Sequence, residues 1–566
     1  MGTDNIIVGE YLASLSEDEE LDKIFPLMLR LKGYRIVRTA KDAKGQPQHG
    51  KDIIAIGVDD DGIKKRFYFE LKGHAAKDID SESIAAKDGV SMSLHELRYV
   101  EYTDSSIPGF NELPVKVMFV HNGIVKPNAM LLFEGIVKEL FTGREFQRWG
   151  IHELTDQFSR YLFGEYLLTD EENIRLFKKT LVLLTAPDYD LRDFKELISR
   201  LLANDAKVDS RVFSKLFSTL NLLAFLIYHY SKEADYLEPA KIAINEIILQ
   251  TWSWILKSKL EKRKAVIREF RKLLHTQYVM LDDYFNKTLP AASLQDGLFS
   301  ERGGPFEDIG YSMRAMEYIS FLLYYFHLEQ FAPEFNGRLN EEALKTLVDR
   351  QIQALITVID SNIGCRRPLL DRHSKPVLLV ALYILEFTKS DSQYRNWLNN
   401  YIVSCLDNIL MIHMARKRYP EFNDNEQALI EYASTGTRPY DYSDKSSMMI
   451  MIFIELLAIL DNKDIYIQTK KNFSTIVNLQ TVYPNTTTPD IDLEQMYFGG
   501  NINDYMAVES SIVLPETFEE FLQFVASRPK YHVNFRTDAI GLPFLKYLAS
   551  ITNRNDIFPG DWRRFY

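Results

Sequence analysis

The spacing of apolar residues changes once along this chain, near residue 165, and that change limits what the chain can fold into. Before it, segments with apolar residues at every second position alternate with segments of helical spacing. After it, apolar residues recur three and four positions apart almost without pause. With 566 residues, two or more domains are expected. We predict an α/β domain over 1–165, with a mixed sheet flanked by helices, and a mostly α-helical domain over 166–566, with joints near 288–310 and 421–446.

The first domain contains eight predicted elements whose order indicates one mixed sheet. Three strands follow one another as in a meander, the first two joined by the polar loop KDAKGQPQHGK and the next two by the turn DDDG, and a crossover helix then leads to further strands. The elements are helix Asp18–Lys32, strand Arg35–Thr39, strand Asp52–Gly57, strand Lys65–Lys72, helical segment Ser81–Tyr102, strand Val115–Val120, helix Asn128–Phe141 and strand Glu145–Ile151.

Net charge and cysteine content narrow the class of protein. The formal charge is −12, so a nucleic-acid binder must concentrate its basic residues locally. Cys365 and Cys405 are in neither a metal-ligand nor a disulfide-scaffold spacing, which suits a reducing cytoplasm. The N-terminal residues lack the order of a signal peptide. The apolar runs Leu216–Tyr230 and Met448–Leu460 are shorter than the about 20 residues of a membrane span. We expect a cytoplasmic protein without a membrane segment.

One strand carries a carboxylate and an ammonium on the same face. In Lys65–Lys72, which reads KRFYFELK, alternation places the two Phe side chains and the Leu side chain on one side. Glu70 and Lys72 share the other side with Tyr68. Asp52 opens the preceding strand, and it can approach Glu70 if the two strands pair through the turn DDDG. Asp52, Glu70 and Lys72 are therefore the candidate catalytic residues.

Two carboxylates beside a lysine suit the cleavage of a phosphodiester. Asp52 and Glu70 can hold Mg²⁺, or Mn²⁺ in its place, because hard cations prefer oxygen ligands. Such a cation polarises the phosphate and lowers the pKa of a bound water, which gives a nucleophile near neutral pH. Lys72 would orient that water and stabilise the charge of the transition state. The backbone carbonyl of Leu71 is expected to be a further metal ligand.

These residues resemble the PD-(D/E)xK superfamily of nucleases, and within it the Mrr-like restriction branch. The resemblance covers about residues 15–165 and rests on the first helix with its acidic start, on Gly50–Asp52 and on Glu70–Lys72. It implies a restriction-endonuclease-like fold and Mg²⁺-dependent cleavage of DNA. The tripeptide Asp/Glu-x-Lys is not specific by itself, since it also occurs at 42–44, 193–195, 205–207 and 461–463.

Several residues flank the predicted site. The resemblance implies an acidic metal ligand on the first helix, for which Glu20 is favoured over Glu19 and Asp22. His74 follows Lys72 by two residues and is an accessory candidate, although a polar surface role suits it better. The nearby residues with weaker claims are His49, His95, Glu96 and His121.

A basic segment in the helical region is a second candidate for nucleic-acid binding. Residues 257–272 hold eight basic and two acidic residues. The apolar residues predict a buried stripe and leave Lys264, Arg268 and Arg271 together outside, where they can follow a DNA backbone. A solvated helix face explains the same pattern. A smaller basic group, suited equally to buried ion pairs and to ligand contacts, comprises Arg366, Arg367 and Arg372.

The combined pattern predicts a Mg²⁺-dependent DNA endonuclease whose helical domain regulates or recruits it. The chain has no GxxxxGK[ST] loop, no CxxC or HExxH motif and no GxSxG elbow. Fusion of a nuclease to a large helical region resembles bacterial antiphage effectors, in which a partner or a foreign-DNA signal releases cleavage. We expect DNA as a partner, together with a protein partner or a homo-oligomer. The alternatives are a restriction or repair endonuclease that acts alone and a non-catalytic scaffold that binds DNA or protein.

Overall fold

A computed structural model gives the structure of the protein over most of its length. It describes residues 8–9, 12–13, 15, 21–39, 50–73, 78–87, 89–141, 145–163, 171–186, 189–203, 210–300, 302–332, 339–388, 391–418, 420–473, 477–484, 489–502, 506–528, 535–553, 555 and 562–566.

A five-stranded mixed sheet forms in the first part of the chain, as predicted. Its strands lie in chain order, with the first three antiparallel and the last two parallel to the third. Each predicted strand is confirmed to within two residues. The strands are β1 Arg35–Arg38, β2 Ile53–Val58, β3 Lys64–Lys72, β4 Val115–His121 and β5 Phe146–Trp149.

The helices of this part differ from the prediction between Ser81 and Tyr102, and the helix Ile151–Phe158 was not predicted. The sequence predicts one helical segment from Ser81 to Tyr102, but the chain breaks it in two, because Ala86 leaves the helical conformation with ψ 152°. Gly89 follows, and a Cβ there would lie 2.3 Å from the carbonyl oxygen of Ser83, so only glycine fits this close approach. The helices are α1 Asp22–Leu31, α2 Ser81–Ala85, α3 Val90–Tyr99, α4 Pro127–Leu140, α5 Ile151–Phe158, α6 Glu171–Leu183, α7 Arg192–Leu202 and α8 Ser210–Glu233.

Both faces of the sheet are covered. On one face, Phe69 meets Phe25 of α1 with ring centroids 5.4 Å apart, and Trp149 packs beside them. On the other, Tyr68 joins a cluster that includes Leu94 of α3 and Phe133 of α4. Strand β3 is therefore buried on both sides. We call the second face, which carries Asp52, Glu70 and Lys72, the site face.

Two compact units divide the described chain, Met1–Ala243 and Ile244–Tyr566. The predicted change near residue 165 marks the end of the sheet-bearing part, since every strand of the first unit precedes it. The first unit continues to Ala243 because α8 packs against α1. Helix α9, Glu238–Lys257, includes the point of division.

The second unit is largely helical, as predicted for this region. It also holds two small sheets that the sequence did not reveal, β6 Ser446–Ser447 with β7 Asn478–Leu479 and β8 Thr481–Pro484 with β9 Met506–Glu509. The helices after α9 are α10 Lys264–Ala292, α11 Tyr311–Phe331, α12 Glu341–Ser361, α13 Ser374–Thr388, α14 Ser392–Arg416, α15 Glu426–Thr435, α16 Met448–Ile459, α17 Lys463–Phe473, α18 Asp490–Gly499, α19 Phe518–Ser527, α20 Arg536–Ala539 and α21 Leu545–Asn553.

The two apolar runs form helices, α8 and α16. All twelve residues of α16 are buried, including Glu455, so this run is core. Over the described ranges, no helix has both the length and the apolar character to cross a membrane. Of the candidate joints, 288–310 begins inside α10 and 421–446 contains α15.

Candidate active site

Strand register brings the two predicted carboxylates together. Strands β2 and β3 pair through the turn, with Ile53 opposite Phe69, as predicted. The amide of Asp52 also donates to the carbonyl of Phe69, at 2.9 Å, so the regular register of the two strands ends at Asp52. The Asp52 carboxyl is close enough to Glu70 for the charge of Glu70 to act on it. The predicted pairing of the two strands is confirmed, and it brings Asp52 near Glu70.

Polar contacts hold three of the four groups predicted for the site, namely the carboxylates of Asp52 and Glu70 and the ammonium of Lys72. The amide of Leu71 donates to Oδ2 of Asp52 at 2.7 Å. Nζ of Lys72 lies 2.9 Å from Oε1 of Glu70. In an extended strand the carbonyl of a residue points to the same edge as its amide, so the carbonyl of Leu71 also faces the side of Asp52. Asp52 and Glu70 are buried, whereas the Lys72 side chain stays 17% exposed.

The electrostatics of this site disfavour the charged form of Asp52. Burial, and then the negative charge of Glu70, raise the pKa of the Asp52 carboxyl far above its ordinary value. The hydrogen bond from Leu71 and the charge of Lys72 act in the opposite direction but do not compensate. Two buried carboxylates that repel each other form a place where a cation would be favourable.

Lys51 is a functional candidate that sequence reasoning missed. It is buried, its Nζ donates to the carbonyl of Glu96 on α3 at 3.3 Å, and it lies 5.4 Å from the ring centroid of Tyr68. Burial lowers its pKa to about 8, although the charges of Glu96 and Glu70 act to raise it. The signal was present in the Gly-Lys-Asp sequence, where Lys51 directly precedes Asp52.

The first helix supplies an acid near the site. Asp22, the first residue of α1, is close enough that its charge raises the pKa of Asp52. Asp22 is therefore the described residue that best fits the expected acidic ligand. The favoured residue Glu20, together with Glu19, His49 and His74, lies outside the described residues.

Two further histidines occupy different positions. His121 ends β4, lies beside Lys72 in the parallel register and is fully buried. His95 of α3 is exposed, and its Nδ1 is 2.7 Å from the carbonyl of Ser91. His121 is thus a strand-end residue, and α3 approaches the site through the carbonyl of Glu96.

The donor set suits a hard divalent cation. Asp52 and Glu70 offer carboxylate oxygens, and the carbonyl of Leu71 adds a neutral oxygen, which are the ligand types that Mg²⁺ prefers. Within the part of the chain that the structure describes, no group of three or more His, Cys, Asp or Glu side chains is arranged to hold a metal. Two carboxylates with a backbone carbonyl and several waters match the usual ligation of Mg²⁺, which seldom has an all-protein cage.

The basic segment is only partly as predicted. Lys264 begins α10 and is exposed, and Arg268 is 73% exposed. Arg271 does not join them, because it donates to the carbonyl of Ile540 at 2.9 Å and lies over the ring of Phe331. Its guanidinium packs into the second unit, which leaves two of the three basic residues on the surface.

Two residues of the smaller arginine group, Arg366 and Arg372, form ion pairs. Arg366 pairs with Asp360, and Arg372 pairs with Glu426. These pairs favour the ion-pair interpretation for both residues over a ligand contact.

Comparison with known proteins gives no match, whether to a family model, to a curated protein or to a solved structure. The chemistry of the site therefore carries the functional proposal.

Proposed function

We propose that this protein is a metal-dependent endonuclease that hydrolyses DNA phosphodiesters with Asp52, Glu70 and Lys72, in a restriction-endonuclease-like region. One observation carries the proposal. The buried Asp52 carboxyl is close to Glu70, and Lys72, two residues beyond Glu70 on the same strand, pairs with Glu70 at 2.9 Å. A buried carboxyl whose pKa is raised by burial and by a neighbouring carboxylate is typical of functional sites. A bound cation would favour the charged form of Asp52.

Each residue has a role that its position supports. Asp52 and Glu70 would hold Mg²⁺, which polarises the phosphate and lowers the pKa of water when bound. Lys72, partly exposed and fixed by Glu70, would place its ammonium against the attacking water and the phosphate oxygens. Water adds to phosphorus as one P–O bond breaks, leaving a hydroxyl end and a phosphate end. Lys51 would limit repulsion around Glu70.

The helical second unit would regulate cleavage or recruit the substrate. Lys264 and Arg268 offer two exposed cations for a DNA backbone. In this proposal the protein acts in antiphage defence with a protein partner or as a homo-oligomer. The alternative that it works alone as a restriction or repair endonuclease differs only in needing no activating partner.

A non-catalytic DNA-binding scaffold is the second candidate function. The observation in its favour is that no cluster of three or more acidic, His or Cys side chains suits a metal in the described ranges. Such a scaffold would use the same face to bind DNA and would leave the phosphodiester intact.

The deciding experiment is cleavage of supercoiled plasmid by the full-length protein in Mg²⁺ and in EDTA. The expected result is nicking in Mg²⁺ or Mn²⁺ that EDTA abolishes and that Glu70→Gln removes. Glu145→Gln, which changes an exposed acid of the same sheet region, is the matched control and should cut normally. DNA binding without cleavage, with and without candidate partners, would favour the scaffold.

A further inference from the structure

Arg418 in the second unit is buried, and the described residues give it few partners. Its side chain is 6% exposed, and among the described residues its one ion pair is with Oδ2 of Asp308, at 4.0 Å. Its Nε is buried and has no hydrogen-bond partner there. A guanidinium has five N–H donors, and a buried donor without an acceptor destabilises the folded state.

Arg563, an equally buried arginine of the same unit, has hydrogen-bond acceptors for its donors. Arg563 donates from Nε and NH2 to the buried Glu455 at 2.8 and 3.0 Å. These distances are typical of charge-assisted hydrogen bonds, whereas the 4.0 Å between Arg418 and Asp308 is not. The fold can therefore pair a buried arginine fully, and at Arg418 it does not.

A second arginine converges on the same carboxylate. Helix α14 ends at Arg416, and Lys417 then adopts a left-handed conformation with φ 55°. Arg416 and Arg418 both reach Asp308, Arg416 at 3.4 Å. Two arginines thus approach one carboxylate, whose side chain is 34% exposed, through long contacts.

The other acids near Arg418 are already engaged. Glu421 and Asp444 act on the same tyrosine, Tyr442, as Arg418 does. Both oxygens of Glu421 accept backbone amides, and Asp444 pairs with Arg438 at 2.6 Å. Among these acids, Asp308 is therefore the one available to pair with Arg418, and an anion from solution could take its place.

We propose that Arg416 and Arg418 form a binding site for a phosphate group, and that Asp308 occupies its place when no ligand is bound. Guanidinium groups bind phosphate oxygens in pairs, and a phosphate carries more charge than the single carboxylate it would displace. The phosphate belongs to a free anion, to a nucleotide or to nucleic acid. This site does not depend on the proposed nuclease activity.

The test measures binding of inorganic phosphate, adenosine monophosphate and a short DNA duplex to the full-length protein, by calorimetry and thermal shift at constant ionic strength. At least one probe should raise the melting temperature of the parent. Arg418→Gln should weaken that binding about tenfold or more, because it removes charge-assisted hydrogen bonds. Arg350→Gln, which removes an exposed ion-paired arginine, should leave binding unchanged. The strongest probe identifies the source of the phosphate.

Asp308→Asn separates a ligand site from a structural ion pair. A ligand site predicts tighter binding of the same probe, because the competing carboxylate is gone, and this readout remains if Arg418→Gln does not fold. A structural pair predicts a lower melting temperature and no gain in affinity. Failure of all three probes, or undiminished binding by Arg418→Gln, would overturn the proposal.

Discussion

Two clusters of buried charge occupy opposite ends of strand β3, and they are organised in opposite ways. At the turn end, Asp59 pairs with Lys65 at 2.5 Å and with Lys116 at 2.7 Å, and Asp61 also pairs with Lys65. Burial alone would raise the pKa of Asp59, but the hydrogen bonds from Lys116 and Lys65 outweigh it and lower that pKa to about 2. The charged forms are favoured at this end.

At the other end, the charged forms are disfavoured. The pKa of Asp52 is raised and that of Lys51 is lowered, in each case with burial as the largest cause. The same sheet therefore pairs the buried charges at one end and leaves the charged forms of Asp52 and Lys51 unfavourable at the other. Buried groups with unfavourable charged forms are typical of positions that bind a ligand or take part in chemistry.

The largest expected effect is on cleavage. Lys72→Ala should lower the rate of plasmid nicking by about a hundredfold or more, because it removes a charge aimed at the transition state. Lys126→Ala, an exposed lysine paired with Asp80 in the same unit, is the control and should cut like the parent. Equal rates for Lys72→Ala and the parent would remove Lys72 from the mechanism.

Stability should change in opposite directions at the two clusters. Asp59→Asn leaves Lys116 buried without its carboxylate and should cost about 3 kcal/mol, seen as a lower melting temperature. Asp52→Asn removes a carboxyl whose ionisation is unfavourable beside Glu70, so in EDTA it should stabilise the folded state by about 1 kcal/mol or more, seen as a higher melting temperature. Mg²⁺ should stabilise the parent but not Asp52→Asn. A destabilised Asp52→Asn would show that the two ends do not differ as described.

The pH dependence of these variants sharpens the same comparison. The pKa of Asp59 is lower in the folded state than its unfolded value of about 3.9, so its stabilisation is lost as pH falls from about 4 to 2. The pKa of Asp52 is raised in the folded state, so in EDTA its contribution is lost as pH rises above about 4. The melting temperature should therefore depend less on pH than in the parent, below about pH 4 in Asp59→Asn and above about pH 4 in Asp52→Asn.

The smallest expected effect concerns the basic helix. Replacing Lys264 and Arg268 by Gln should flatten the salt dependence of DNA affinity by about two units and leave the melting temperature unchanged. Arg271→Gln should instead lower the melting temperature, because it removes the bond to Ile540 and the contact with Phe331. An unchanged salt slope in the double variant would show that this face is merely solvated.

Local pattern was enough to predict the sheet and the core of the candidate site. Alternation along Lys65–Lys72 fixes which side chains share a face, and the short turn DDDG leaves few registers for the neighbouring strand. Asp52, Glu70 and Lys72 could therefore be grouped from the sequence. The same reasoning failed at Ala86, where the break in the helix depends on a close approach between Gly89 and Ser83.

Tertiary packing decided what the spacing of residues could not. Packing of the sheet against its helices buries Asp52 and Glu70. It also places Lys51 against the carbonyl of Glu96 on α3. In the second unit, Arg271 turns inward to Ile540, and Arg418 is enclosed with a distant carboxylate. Periodicity assigns a residue to a face of its own element, but its charge state and partners depend on which segment packs against that face, because desolvation and pairing act through space.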